Sequence, residues 1–223
     1  MSATKHALLA GASGLVGERC LARLLDHADF ARVTVWSRRP LASKHAKLTV
    51  DLVDFEALPP APADCTEIFC CLGTTIRKAG TQDAFRRVDH DYPLALAERG
   101  EAAGIRQFLM VSALGANAQS SVFYSRVKGE TERDIAALGI PRHLFLQPSL
   151  LLGERHEQRA GESIAIVASR LLLPFMVGPM RKYRPIDADD VAAVMVHAAT
   201  HGTPSGAIES DRIAELARQL AAA

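Results

Sequence analysis

Tyr124 and Lys128 stand four residues apart in Tyr124-Ser125-Arg126-Val127-Lys128, a spacing that puts both on one face of a helix. An ammonium beside a phenol stabilises phenolate and lowers the tyrosine pKa from its reference of about 10. A phenol tuned in this way is a general acid for a carbonyl oxygen, or a base for an alcohol. Three tyrosines and six lysines in 223 residues give about 0.08 such pairs by chance, so the spacing carries information. Ser112 precedes Tyr124 by twelve residues, at the end of the apolar run Phe108-Leu109-Met110-Val111. Its hydroxyl is placed to hold a substrate oxygen, or more plainly to cap the next turn.

A second group of residues has phosphate chemistry. Gly11-Ala12-Ser13-Gly14-Leu15-Val16-Gly17 follows a short apolar run and opens a helix-length segment. Glycines at this spacing allow a tight turn and let backbone N–H groups approach a pyrophosphate at a helix N-terminus. An acid at the end of the second strand would select NAD through the ribose 2′-hydroxyl. Here that position reads Ser37-Arg38-Arg39-Pro40. Guanidinium groups suit a 2′-phosphate carrying about −1.5 to −2 charges, so NADP(H) is expected over NAD(H). Asp51-Leu52, ending the third strand, is placed to face the adenine, or to serve a turn.

These groups need a frame. The runs 7–10, 33–36, 48–50, 68–72, 108–111 and 144–146 are strand-length and mostly lack polar alternation, as expected of strands buried on both faces of a parallel sheet. Between them lie helix-length segments at 15–28, 83–103, 125–138, 162–173 and 188–200. Gly104, Gly139 and Gly202 follow three of these, where a left-handed residue ends a helix. The alternation predicts one α/β domain over 1–223, a doubly wound parallel sheet flanked by helices with right-handed crossovers. Pro59-Pro60-Ala61-Pro62 reads as a loop within it.

Composition excludes several classes. Apolar residues make up 48% and charged residues 23%, which is globular usage. Bases and acids number 26 and 25, so an electrostatic nucleic-acid binder is not expected. The most apolar stretch, Leu171 to Val177, is short and broken by Pro174, which argues against a membrane span. No signal peptide is visible, and Cys20, Cys65, Cys70 and Cys71 have no framework spacing. A cytoplasmic protein with reduced thiols is expected.

The glycine loop with Ser112, Tyr124 and Lys128 resembles the short-chain dehydrogenases/reductases. Phe69-Cys70-Cys71-Leu72-Gly73-Thr74-Thr75, Lys78-Ala79-Gly80, Val88-Asp89-His90-Asp91-Tyr92, Val127-Lys128-Gly129-Glu130 and Arg155 to Glu162 are similar to its atypical branch, that of the Tat-interacting protein. The likeness weakens after Leu173. It implies a Rossmann fold of about seven strands. It also implies Leu72-Gly73-Thr74 and Lys128 at the nicotinamide ribose, and Pro148 to Leu151 near the carboxamide. Asp89 stands where the family usually has asparagine, Gln147 where arginine often precedes the proline, and Ala113 where the branch has a second serine.

The sequence therefore predicts an NADP(H)-dependent oxidoreductase acting on a small carbonyl or alcohol, with Ser112, Tyr124 and Lys128 at the chemistry. The cofactor-binding set is 11–17, Ser37, Arg38, Arg39, Asp51, Leu52, Leu72, Gly73, Thr74, Val111, Tyr124, Lys128, Pro148 and Leu151. Two alternatives stay open: an NADPH-binding regulator with little turnover, and an epimerase or dehydratase using nicotinamide transiently. The substrate cover is expected within about 153–184. Packing is expected of Cys70-Cys71, and a solvated face of Arg181-Lys182-Tyr183-Arg184. His197 and His201, four apart, lack an evident third ligand for zinc. Oligomeric state is open.

Overall fold

The computed structural model describes residues 5–153 and 177–222. In chain order the first half is β1 (Lys5–Ala10), α1 (Leu15–Asp26), β2 (Phe30–Ser37), β3 (Leu48–Leu52), β4 (Glu67–Cys70), α2 (Ile76–Ala79) and α3 (Gln82–Arg86). A π-helical turn over Arg87–Asp91 then leads into α4 (Tyr92–Ala102). The second half is β5 (Gln107–Val111), α5 (Phe123–Ala136), β6 (Arg142–Gln147), β7 (Leu151–Leu152), a 3-10 turn at Gly178–Tyr183, β8 (Ile186–Asp187), α6 (Ala188–Thr200), β9 (Gly206–Glu209) and α7 (Ser210–Ala221).

Seven strands form one parallel sheet in the order β3-β2-β1-β4-β5-β6-β9. The order reverses between β1 and β4, and doubly wound sheets bind ligands beyond the strand C-termini at such a reversal. Side chains alternate across the sheet, and both faces are buried. Ala7, Leu9, Val33, Val35 and Phe69 pack with α1, α6 and α7. Leu8, Ala10, Trp36, Ile68, Cys70 and Phe108 pack with α4 and α5. This is why the strand segments read as unbroken apolar runs.

Several expectations are corrected. Gly104 and Gly202 have the positive φ a helix end needs, but Gly139 does not. There α5 stops at Ala136 with Ala137 capping it, and the Gly139 N–H donates to Glu101 Oε1. The apolar run 68–72 is strand only to Cys70. Beyond it the chain leaves the sheet into the loop 71–75. β9 and α7 were not foreseen: β9 is a four-residue, half-buried edge strand. The expected helix 162–173 and the stretch Arg155 to Glu162 lie outside the described residues.

Candidate functional site

The glycine loop lies where β1 meets α1. Gly11 has φ +89°, and a Cβ there would stand 2.5 Å from the Cys71 carbonyl carbon, so only glycine lets β1 and β4 approach at their C-terminal ends. The Gly14 N–H donates to the Gly11 carbonyl at 3.0 Å, and no side chain caps α1 at Gly14. The first-turn N–H groups of such a helix start suit a pyrophosphate. Gly153 lies against the same turn, since a Cβ on it would stand 3.0 Å from Leu15 Cδ1. The stretch from buried Pro148 through Leu151, which pairs with Ile186, therefore runs from the sheet's C-terminal end to the loop.

Ser37 ends β2 beside Leu52 of β3, and Asp51 pairs with Trp36. The Ser37 hydroxyl donates to the Arg39 carbonyl at 2.7 Å and accepts from the Arg39 N–H at 3.2 Å. That turn presents Arg38 and Arg39 to solvent. Neither forms an ion pair among the described residues. Val111 closes β5 opposite Leu146.

Asp89 joins the loop after β4 to α5. Its Oδ1 lies 2.7 Å from Lys128 Nζ, and its Oδ2 accepts from the Thr74 N–H at 2.8 Å. Gly73 lies beside both, for a Cβ there would stand 3.5 Å from Asp89 Oδ1 and 3.9 Å from Lys128 Nζ. Local sequence explains how Asp89 arrives. Pro93 has no N–H, so the Asp89 carbonyl lacks the donor an α-helix would supply four residues on. The Thr131 hydroxyl donates to that carbonyl instead, at 2.9 Å. The turn widens to π, with the Tyr92 N–H bonded to the Arg87 carbonyl, a distortion that recurs at functional sites. Arg86–Glu130 and His90–Asp134 pairs fasten the turn to α5.

Tyr124 occupies the first turn of α5, its ring 5.5 Å from that of Phe85. The electrostatics overturn one expectation. Burial raises the Tyr124 phenol above its ordinary value and Asp89 adds to the rise, so the opposing Lys128 charge does not lower it overall. Burial alone would lower Lys128, but Asp89 and Tyr124 carry its ammonium above its usual range. The phenol is therefore neutral and the lysine charged over the whole neutral range.

Sequence reasoning missed Glu132. Ser112 Oγ donates to Glu132 Oε1, and the Gln147 amide nitrogen donates to both carboxylate oxygens at 3.0 and 2.9 Å. The signal was present, since Tyr124, Lys128 and Glu132 recur at four-residue steps on one helix. Burial raises the Glu132 carboxyl, only partly opposed by Ser112, Gln147 and Lys128.

Other candidates fall elsewhere. Burial pushes the Cys70 thiol up to about 12, as suits a packed side chain. All four cysteines are free thiols. The His197 and His201 rings stack at 3.9 Å. Lys182 reaches Glu209 at 3.2 Å. No helix among the described residues is long and apolar enough to cross a membrane.

The family described as NAD(P)H-binding matches residues 11–202. The protein HTATIP2 of Rattus norvegicus is 40% identical over 72% of this chain and 69% of its own length. FMP52-1 of Scheffersomyces stipitis is 33% identical over 90% of each. Among solved structures, MoeE5 in complex with UDP-glucose and NAD aligns at a TM-score of 0.67 and 16% identity, over 97% of this chain and 82% of that one. The UDP-glucose 4-epimerase of Thermotoga maritima aligns at 0.64 and 18%, over 96% and 81%. These distant structures share the fold. The expectation of a cytoplasmic protein is overturned, because the FMP52 relatives from Scheffersomyces, Eremothecium, Debaryomyces and Aspergillus are named as mitochondrial. With its glycine loop at the β1/β4 reversal and these relatives, the chain belongs to the NAD(P)H-binding Rossmann family, in the branch of HTATIP2 and FMP52.

Proposed function

We propose that the protein is an NADP(H)-dependent oxidoreductase acting on a small carbonyl or alcohol. The observation that carries the reading is the buried Asp89–Lys128 pair, placed against Gly73, with Lys128 on the same helix as Tyr124. The nicotinamide, when bound, supplies the hydride. Residues 11–17 would hold the pyrophosphate, Arg38 and Arg39 the 2′-phosphate, and Lys128 with the loop 72–74 the ribose. Asp51, Leu52, Val111, Pro148 and Leu151 would line the remaining length.

Tyr124 is the proton donor to the carbonyl oxygen in this reading. Its raised pKa keeps the proton on the phenol until it is needed. The Lys128 ammonium stabilises the phenolate that remains. Ser112 orients the substrate oxygen. Asp89 keeps Lys128 charged and fixes its position.

Tyr124→Phe removes the transferable proton and keeps the ring packing on Phe85. Reduction of aldehydes, ketones and quinones, followed by NADPH oxidation, is expected to fall by about 10²–10⁴-fold, with cofactor affinity little changed. Wild type that binds NADPH and reduces nothing on a broad panel, with Tyr124→Phe identical in every assay, would replace the enzyme with a cofactor-binding regulator. The fold shared with UDP-glucose 4-epimerase favours a second reading, an epimerase; product formation without net cofactor consumption would select it.

A further inference from the structure

This inference rests on the reading that Ser112 holds the substrate oxygen. We infer that Glu132 is a positioning residue that decides which way the Ser112 hydroxyl presents its proton. A serine hydroxyl has one proton and two accepting lone pairs. Ser112 is 6% exposed, and its Oγ is bonded to Glu132 Oε1. With Glu132 ionised, the carboxylate takes that single proton. The hydroxyl then shows a lone pair to the crevice and accepts from an alcohol. With Glu132 protonated, the carboxylic O–H donates to Ser112 Oγ, and Ser112 turns its own proton toward a carbonyl oxygen. The only exchange is one proton taken from water or returned to it. Carbonyl binding is thereby linked to protonated Glu132, and alcohol binding to ionised Glu132.

The surroundings decide which state prevails. β5 and β6 face Glu132 with the neutral groups of Ser112 and Gln147. The charged group that faces it is the Lys128 ammonium one helical turn back, already paired with Asp89. An arginine at position 147 would supply a full counter-charge and hold Glu132 ionised. The glutamine amide donates two hydrogen bonds and no charge. Burial then leaves the carboxyl above the ordinary glutamate value of 4.5.

Two arms test this on the full chain. The first needs no substrate. The carboxylic-acid C=O stretch is followed by infrared spectroscopy against pH, and Glu132 is assigned by the band lost in E132Q. Its titration is expected above 4.5, higher still in S112A, which loses a donor to the carboxylate, and lower in Q147R. A band titrating at the ordinary value, or indifferent to S112A, overturns the inference. The second arm is NADPH-dependent reduction of phenanthrenequinone. Wild-type kcat/KM is expected to fall by about 10²-fold as Glu132 ionises, the worth of a lost donor to a developing oxyanion. E132Q, whose amide donates to Ser112 at every pH, is expected to lose this limb. Q147R is expected to move the limb toward acid. A limb that persists in E132Q overturns the inference. If the quinone is not reduced at all, the failure falls on the oxidoreductase reading, and the infrared arm still decides the role of Glu132.

Discussion

Replacing Asp89 with asparagine removes a charge and almost no volume. Asp89 presents one oxygen to Lys128 Nζ at 2.7 Å and the other to the Thr74 N–H at 2.8 Å, and the two side chains are 1% and 5% exposed. Asparagine has one oxygen for these two donors, so its NH2 must face one of them. The Lys128 ammonium meanwhile stays buried without its counter-charge. Breaking one partner of a buried pair costs about 3–5 kcal/mol. At about 2–4 °C per kcal/mol for a chain of this length, Tm should fall by about 6–20 °C. Lys128→Met in the Asp89→Asn background removes the stranded charge and should recover most of the loss. Thermal unfolding by circular dichroism of wild type, both single variants and the double variant closes the cycle. A Tm for Asp89→Asn within about 2 °C of wild type, or a double variant that loses the sum of the singles, would refute the assignment of Asp89 as the partner that holds Lys128.

Titration with both cofactors should show NADPH binding more tightly than NADH, and Arg38→Ala or Arg39→Ala should weaken NADPH by about 10- to 150-fold, the equivalent of one charge-assisted bond; equal wild-type affinities would sink the preference. Gly14→Val should abolish cofactor binding while circular dichroism stays native-like, because a Cβ there stands 3.2 Å from the Gly11 carbonyl, a tight but relievable contact, and obstructs the pyrophosphate instead. The raised pKa of Glu132 also has a sign in stability: its contribution is full below the unfolded-state value and lost as pH rises through the folded value. Glu132→Gln should therefore be more stable than wild type toward urea near pH 7 and lose that advantage near pH 4; an equal advantage at both would show that the carboxyl does not titrate as argued.

The sheet was legible because its interior strands, buried on both faces, leave largely unbroken apolar runs, and the mostly exposed edge strand β3 still gave a short signal in Leu48-Thr49-Val50. β9 did not, because an edge strand with one neighbour needs no such run; Gly206-Ala207-Ile208-Glu209 looks like a loop until β6 is beside it. α7 was legible in principle, with Ile213, Leu216, Ala217 and Leu220 at helical spacing. At the site, spacing identified Tyr124 and Lys128 but could not supply the sign of the tyrosine shift. That sign depends on Asp89, which the π turn before Pro93 brings to Lys128 from 39 positions away in sequence. Glu132 was missed for the opposite reason. Its four-residue step from Lys128 was visible, but its meaning depended on Ser112 and Gln147 at the ends of two different strands.

Asp89 and Gln147, the two departures from the wider family's pattern, act on the site in the same sense. Asp89 adds a negative charge where asparagine is usual, and that charge helps raise Tyr124. Gln147 withholds a positive charge where arginine is frequent, and Glu132 is raised in its company. Asp89 favours the protonated phenol, and Gln147, whose hydrogen bonds lower the Glu132 carboxyl, does so less than an arginine's full charge would. In the proposed reaction both acids serve the same direction, since Tyr124 gives its proton to a carbonyl oxygen and protonated Glu132 frees Ser112 to donate to that oxygen. A site built from them keeps both acids protonated to higher pH than the wider pattern would. Restoring the wider pattern by combining Asp89→Asn with Gln147→Arg should lower both acids together and move the pH limbs of reduction and oxidation toward acid. The pH profiles of reduction with NADPH and of oxidation with NADP+, measured on one carbonyl/alcohol pair, would show the shift, and unmoved limbs in the double variant would break the link between these two positions and the two acids.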